Sequence, residues 1–181
     1  MAAEAARQSD FTELLREHQG MVFSIAYHFL RDRALAEEIA QEVFLQLYKT
    51  LPSLESPTHV LYWLRRATCN RSIDYVRHRR LLPKVNLDDA PELAAAAVPG
   101  DPLLSERLRK LVTSLPPKQR MMVVLRYQED LDPEEIAHVL NVPVGTVKSQ
   151  LQRSLAMLRD KIERTIGEME WTPFLRQPVN P

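Results

Sequence analysis

"DPEEIAHVLNVPVGTVKSQLQRSLAMLRDKI", residues 132–162, carries two helical patterns flanking a short break that holds Pro143 and Gly145. Asp132 suits an N-cap, Pro133 fits the first helical position, and Glu135 stands at capping-box spacing from Asp132. Ile136, Ala137, Val139 and Leu140 give the first helix its buried side. The second places Val147, Leu151, Leu155, Leu158 and Ile162 at spacings of four, four, three and four, which makes one inward stripe. Its other face shows Lys148, Ser149, Gln152 and Arg153, with Thr146 at the N-terminal end. A helix-turn-helix that reads DNA needs this division. Its first helix braces, and its second offers polar and basic side chains from its N-terminal half to base edges. Arginine bridges the two acceptors of guanine, glutamine pairs with adenine, and the helix N-terminus accepts a phosphate. An αα-hairpin with a solvated outer face has the same periodicity, so the pattern alone leaves both readings open.

Outward from this stretch the same periodicity continues. Phe11, Leu14, Leu15, Val22, Ile25, Ala26, Phe29 and Leu30 suit one or two helices. Ala36, Ile39, Ala40, Val43, Phe44 and Leu47 mark another, capped by Asp32, with acidic residues near its start suiting the helix dipole. "TLPSLESPTH" (50–59) breaks the pattern, and Ser56-Pro57 reads as an N-cap followed by a first-turn proline. The next helix runs through Val60, Leu61, Leu64, Ala67, Ile73 and Val76 to about Arg80. Residues 83–101 hold three prolines, a glycine and four acids without a sustained apolar stripe, and read as an extended linker. Asp101-Pro102 then starts a helix through Leu104, Leu108 and Leu111, Pro116-Pro117 ends it, and Met121, Met122, Val124 and Leu125 belong to the next. Glycine is scarce, with 4 in 181 residues, and no strand pattern occurs. The expected fold is all-α: a helical domain over 1–82, an acidic linker over 83–101, a helix-turn-helix domain over 102–168 and a tail over 169–181.

The formal net charge is zero, yet the charges are segregated. Residues 1–62 hold 5 Lys/Arg against 9 Asp/Glu, residues 63–84 hold 7 against 1, and residues 85–105 hold none against 4. Screening confines each block's field to about 8–10 Å, so the blocks do not cancel at a surface. Hydrophobic residues make up 45%, enough for a core, but no apolar run approaches the roughly 18 residues of a membrane span. "MAAEAARQSD" has no basic patch before an apolar stretch, so no secretory signal and a cytoplasmic location are expected. The single cysteine, Cys69, excludes a disulfide framework or a thiolate zinc site within one chain, and a buried thiol is the expected state.

"YWLRRATCNRSIDYVRHRR" (62–80) sets Arg65, Arg66, Arg71, Arg77, Arg79 and Arg80 on a helix with Tyr62, Trp63 and Tyr75. Positive charge tracks phosphates and aromatic faces stack on unpaired bases, a combination that suits a strand being opened. A wet arginine-rich face around a core tryptophan is the plainer alternative. "LAEEIAQEVFLQLY" (35–48) offers Glu37, Glu38, Gln41 and Glu42 beside Phe44, an acidic face for a basic partner. No catalytic set emerges. His18, His28, His59, His78 and His138 lack metal-ligand spacing, and no glycine loop for phosphate exists. Neither a cofactor, a metal nor an enzymatic activity is expected.

In this order the acidic helix, the aromatic-basic helix and the C-terminal helix-turn-helix resemble the bacterial RNA polymerase sigma factors of the extracytoplasmic-function (ECF) group. The matching stretches are "RALAEEIAQEVFLQLYKTL", "YWLRRATCNRSIDYVRHRR" and "LDPEEIAHVLNVPVGTVKSQLQR", with "SLPPKQRMMVVLRYQEDL" leading into the last. The resemblance covers roughly residues 10–165. It implies that Glu37, Glu38, Gln41, Glu42 and Phe44 grip the β′ clamp helices of core polymerase, whose β subunit is also a partner. It implies that Trp63, Arg66, Asn70, Arg71, Tyr75 and Arg77 engage the −10 element, with Asn70 and the loop "SLESPTHV" at the pocket for a flipped base. It implies that Thr146, Lys148, Ser149, Gln152 and Arg153 read the −35 duplex of promoter DNA, that the linker passes near the RNA exit path, and that an anti-sigma factor is a partner. Membrane insertion is not expected. The recognition helix departs from the family pattern at Gln150 and Leu155, where further arginines are common. Two alternatives stay open at this stage: a stand-alone helix-turn-helix regulator, and a decoy that binds polymerase or an anti-sigma factor without reading DNA.

Overall fold

The computed structural model describes residues 2–54, 56–81 and 102–166, with side chains described over 11–54, 56–79 and 108–164. Among the described residues the secondary structure is helical throughout: α1 (Ala2–Leu30), α2 (Arg33–Thr50), a 3-10 turn (Leu51–Ser53), α3 (Pro57–Leu81), α4 (Pro102–Thr113), α5 (Pro117–Tyr127), α6 (Pro133–Leu140) and α7 (Val144–Ile166). The expected linker, between α3 and α4, and the tail lie outside the described residues.

One helix, α1, spans the stretch that suited one or two. Val22, Ile25, Ala26 and Phe29, all at 0% exposure, make its buried stripe. Arg31 ends the helix at φ 61°, and its N–H donates to the Tyr27 carbonyl at 2.8 Å. Asp32 caps α2 as expected, its carboxylate accepting from the Leu35 N–H at 3.1 Å. The first turn of α2 holds no acid, however; Glu37 and Glu38 lie beyond the reach of the dipole argument. Ser56 caps α3 through the His59 N–H at 3.2 Å, ahead of Pro57.

Glu135 and Asp132 complete the capping box of α6, with bonds of 2.7 Å to the Glu135 N–H and 2.9 Å from the Asp132 N–H. The turn to α7 is tighter than the sequence suggests. Asn141 takes the left-handed conformation (φ 52°, ψ 55°), and the Val142 N–H reaches back to the Ala137 carbonyl at 3.1 Å. Val144 and Gly145 already belong to α7, so the residue that reverses the chain is an asparagine.

The apolar residues form two clusters. Val22, Ala26, Ile39, Val43, Phe44, Leu47, Val60 and Leu64 join α1, α2 and α3. The second cluster crosses between the two halves: Ile25, Phe29, Cys69 and Ile73 pack with Leu115, Met121, Leu125, Ile136, Val147 and Leu158. At its centre α5 buries six consecutive residues, Arg120 to Leu125, so this helix faces protein on every side. The sequence left the arrangement of the two halves open; α5 and α6 lie against α1 and α3. Ser24 donates to the Glu129 carboxylate at 2.6 Å, the Arg120 guanidinium sits 4.2 Å from the Phe29 ring centre, and Tyr62 meets His138 edge-to-face at 4.3 Å. Among the described residues no helix is long and apolar enough to cross a membrane.

Candidate nucleic-acid interface

The outer face of α7 follows from its register. Val147, Leu151, Ser154 and Leu158 are buried, while Leu155 and Ile162 are half-buried. Lys148, Gln152 and Arg153 are exposed and Thr146 and Ser149 half-buried, on the side turned away from α5. Ser149 donates to the Thr146 carbonyl at 3.1 Å, and Lys148 pairs with Glu134 of α6 at 3.3 Å across a solvated gap. An exposed pair of this kind contributes about 0–1 kcal/mol, so it holds the lysine only weakly. Gln150 and Leu155, which stand where the family often has arginine, are turned elsewhere. Gln150 accepts from the Gln119 amide of α5 at 2.6 Å, and Leu155 lines a groove beside α4 and α5.

Between α2 and α3 lies a cleft of about 610 Å³. From α3 it receives Trp63, Arg66, Asn70, Arg71 and Tyr75; from α2 it receives Glu38, Ile39 and Glu42. Asn70 is exposed in this cleft and Trp63 half-buried, so an amide with two donors and an acceptor lines the same cleft as an indole. Arg71 pairs with Glu42 at 3.3 Å. Arg66 reaches the other half of the molecule, donating to the carbonyls of His138 at 2.6 Å and Val139 at 3.2 Å. Arg77 does not line the cleft and pairs with Asp74 at 3.5 Å.

The acidic face of α2 divides in two. Glu38 and Glu42, four residues apart, face the cleft toward α3, whereas Glu37 and Gln41 face a separate groove of about 680 Å³ beside α1. Phe44 is only 6% exposed and packs in the α1–α3 core, so it supports α2 from inside and offers little surface. The exposed apolar residue of this face is Leu45, 64% exposed, one turn beyond Gln41 in the same groove.

Sequence comparison places these features in a family. The model for sigma-70 region 2 matches residues 14–81, and a model for sigma-70 region 4 matches residues 105–158. The ECF RNA polymerase sigma factor SigW of Bacillus subtilis is 29% identical over 170 residues, covering 86% of this chain and 90% of that protein. An RNA polymerase sigma-E factor of Streptomyces coelicolor is 32% identical over 160 residues, covering 84% of this chain and 86% of that protein. The chain belongs to the ECF sigma factors. The fold of this sigma factor is also that of RpoE from Bartonella quintana, solved in complex with the anti-sigma factor NepR (TM-score 0.68, 19% identity, 85% of this chain and 97% of that one).

Two features of these surfaces escaped the sequence. Leu45 was hidden because α2 is apolar on more than one side, and periodicity alone does not say which side is covered. The Arg66 contact was hidden because its acceptors are backbone carbonyls 72 and 73 residues away. Away from these surfaces, burial shifts two titratable groups. Burial, with help from Glu129, pushes the Cys69 thiol well above its ordinary range, so it stays protonated. Burial, then the Arg31 charge, holds the His28 imidazole below its usual value. Among the described residues no group of His, Cys, Asp and Glu is placed to hold a metal ion.

Proposed function

We propose that this ECF sigma factor binds core RNA polymerase and divides promoter recognition between its two halves. The outer face of α7, with Thr146, Lys148, Ser149, Gln152 and Arg153, reads the −35 duplex in the major groove. The α2–α3 cleft takes the −10 element as an opened strand. In the cleft Trp63 and Tyr75 supply stacking faces, Arg66 and Arg71 meet phosphates, and Asn70 recognises the edge of a flipped base. Arg77 adds charge outside the cleft. Stacking of about 1–3 kcal/mol per base offsets much of the few kcal/mol that flipping costs. Glu37, Gln41 and Leu45 on one side of α2, with Glu38 and Glu42 on the other, receive the basic β′ clamp. An anti-sigma factor is a partner, as it is for the Bartonella quintana protein. The work is cytoplasmic and non-enzymatic, with residues 1–82 and 102–168 as the two recognition domains.

The observation that carries this reading is the cleft itself, where one wall gathers Trp63, Asn70 and Tyr75 with two arginines. Run-off transcription with core polymerase tests it. Asn70→Ala is expected to lower open-complex formation and leave core binding unchanged. Equal loss of both would remove Asn70 from the pocket, and failure of the wild-type chain to bind core would remove the polymerase reading altogether.

A further inference from the structure

Arg66 stands at the junction of the two halves. It lines the proposed −10 cleft, yet its Nε donates to the Val139 carbonyl at 3.2 Å and its Nη2 to the His138 carbonyl at 2.6 Å. These two nitrogens make up one edge of the fork with which an arginine grips a phosphate by parallel hydrogen bonds. That edge is therefore occupied, and its occupant is the carboxyl end of α6. His138 and Val139 fall among the last four residues of α6, whose carbonyls lack partners within the helix and carry the negative end of its dipole. To a guanidinium, two such oxygens offer what a phosphate offers: negative charge and a pair of acceptors.

Further contacts surround this one along the seam. One turn before Arg66 on α3, Tyr62 meets the His138 ring edge-to-face, with 4.3 Å between centroids. Beneath them Cys69 and Ile73 of α3 share a buried cluster with Ile136 and Val139 of α6. Ser24 of α1 donates to the Glu129 carboxylate at 2.6 Å in the turn before α6. Arg71 and Arg77 are also engaged within the molecule, by Glu42 and Asp74, but those pairs are exposed and hold their arginines weakly. Arg66 differs in that its acceptors belong to the other half of the chain.

We propose that the closed chain inhibits its own cleft: α6 holds Arg66 in the place of a promoter phosphate, so α6 and an opened strand compete for one guanidinium. A strand seated in the cleft favours parting of α3 from α6, and the closed seam disfavours the strand by the same factor. The inference rests on the −10 reading of the cleft and adds that the free chain binds single strands poorly until its halves part.

Fluorescence anisotropy of a labelled, short single-stranded DNA of mixed sequence, titrated with the full chain at several salt concentrations, tests the proposal. Tyr62→Cys with His138→Cys sets two thiols where the rings meet, while Cys69 stays buried and protonated, so a short bismaleimide joins α3 to α6. Joining is expected to weaken binding severalfold and to lower the slope of log K against log salt by about 0.7, one phosphate's share on a single strand. Arg66→Gln is expected to lower the unjoined chain as much and the joined chain no further. Ser24→Ala with His138→Ala, which removes two side-chain contacts across the seam, is expected to tighten binding. Thiols that the bismaleimide does not join overturn the proposal, because the halves then do not meet at this seam. A joined chain that binds like the unjoined one overturns it too, as do losses from joining and from Arg66→Gln that simply add; the −10 reading survives these results if Arg71→Gln still weakens binding. Binding by none of the forms, the loosened one included, removes the −10 reading itself and the proposal with it.

Discussion

At the residue scale, His28 shows how a side chain outside any recognition surface still sets a property of the molecule. Its imidazole is half-buried near the end of α1, and Arg31 Nη1 stands 3.3 Å from Nδ1. Burial and the neighbouring cation both oppose protonation, so the folded pKa lies below the 6.5 of the unfolded chain. The unfolded state therefore binds the proton first. The neutral imidazole's contribution is fully present above about pH 6.5 and declines as pH falls through the window below it. His28→Gln is expected to flatten the fall in melting temperature between neutral and mildly acidic pH. An unchanged slope would mean that other groups carry the acid sensitivity. Asn141 is the second instructive residue: a β-branched or bulky side chain there would carry the left-handed penalty of roughly 1–2 kcal/mol, whereas asparagine tolerates it through local hydrogen bonding.

At the element scale, the short helix α6 depends on its ends. Eight residues are too few for a helix to persist in water unaided. The Asp132–Glu135 capping box satisfies donors at its start, and the N–H groups of Asn141 and Val142 both donate to the Ala137 carbonyl at its end. Asp132→Ala is expected to cost about 1 kcal/mol, within the usual 0.5–2 kcal/mol for a lost cap. Urea unfolding checks this, with a lowered midpoint at unchanged slope. Asp132→Ser, which keeps an acceptor, should recover most of the loss. Since α6 braces α7 and also presents the carbonyls that hold Arg66, the same substitution should weaken −35 binding more than its distance from the proposed DNA face suggests.

At the scale of the whole molecule, the two halves share one core. Fully burying a side chain such as Ile25 or Phe29 contributes about 1.5–3 kcal/mol. A hydrogen bond such as Ser24–Glu129 or Arg66–His138 contributes about 0.5–1.5 kcal/mol net, or somewhat more where a charge takes part. Apolar contact is therefore the larger part of what closes the molecule, and the polar contacts fix its register. Arg66, one of the proposed −10 residues, is engaged by α6 in this closed form. Small-angle scattering of the free chain is expected to give a radius of gyration near the roughly 16 Å of a compact chain of this length. Glu129→Lys, which removes the acceptor of Ser24 and sets a cation against an arginine-bearing helix, should raise it. A wild-type profile already expanded would contradict the shared core.

The sequence by itself determined most of the helices and where several of them begin, because caps and breakers are local. Asp32, Ser56-Pro57, Pro116-Pro117 and Asp132-Pro133 announce their own starts. It also determined the inward and outward faces of α7, since the 3.6-residue period is written in the chain, and the family resemblance, since ordered motifs survive without coordinates. Only the tertiary structure decided what covers each apolar face. It buried Phe44 and left Leu45 exposed, split Glu37 and Gln41 from Glu38 and Glu42, turned Gln150 toward α5, and set α5 between the halves. Periodicity fixes the direction of a side chain about its own helix axis. What lies in that direction depends on contacts between residues far apart in the chain, and these follow from the packing of whole helices.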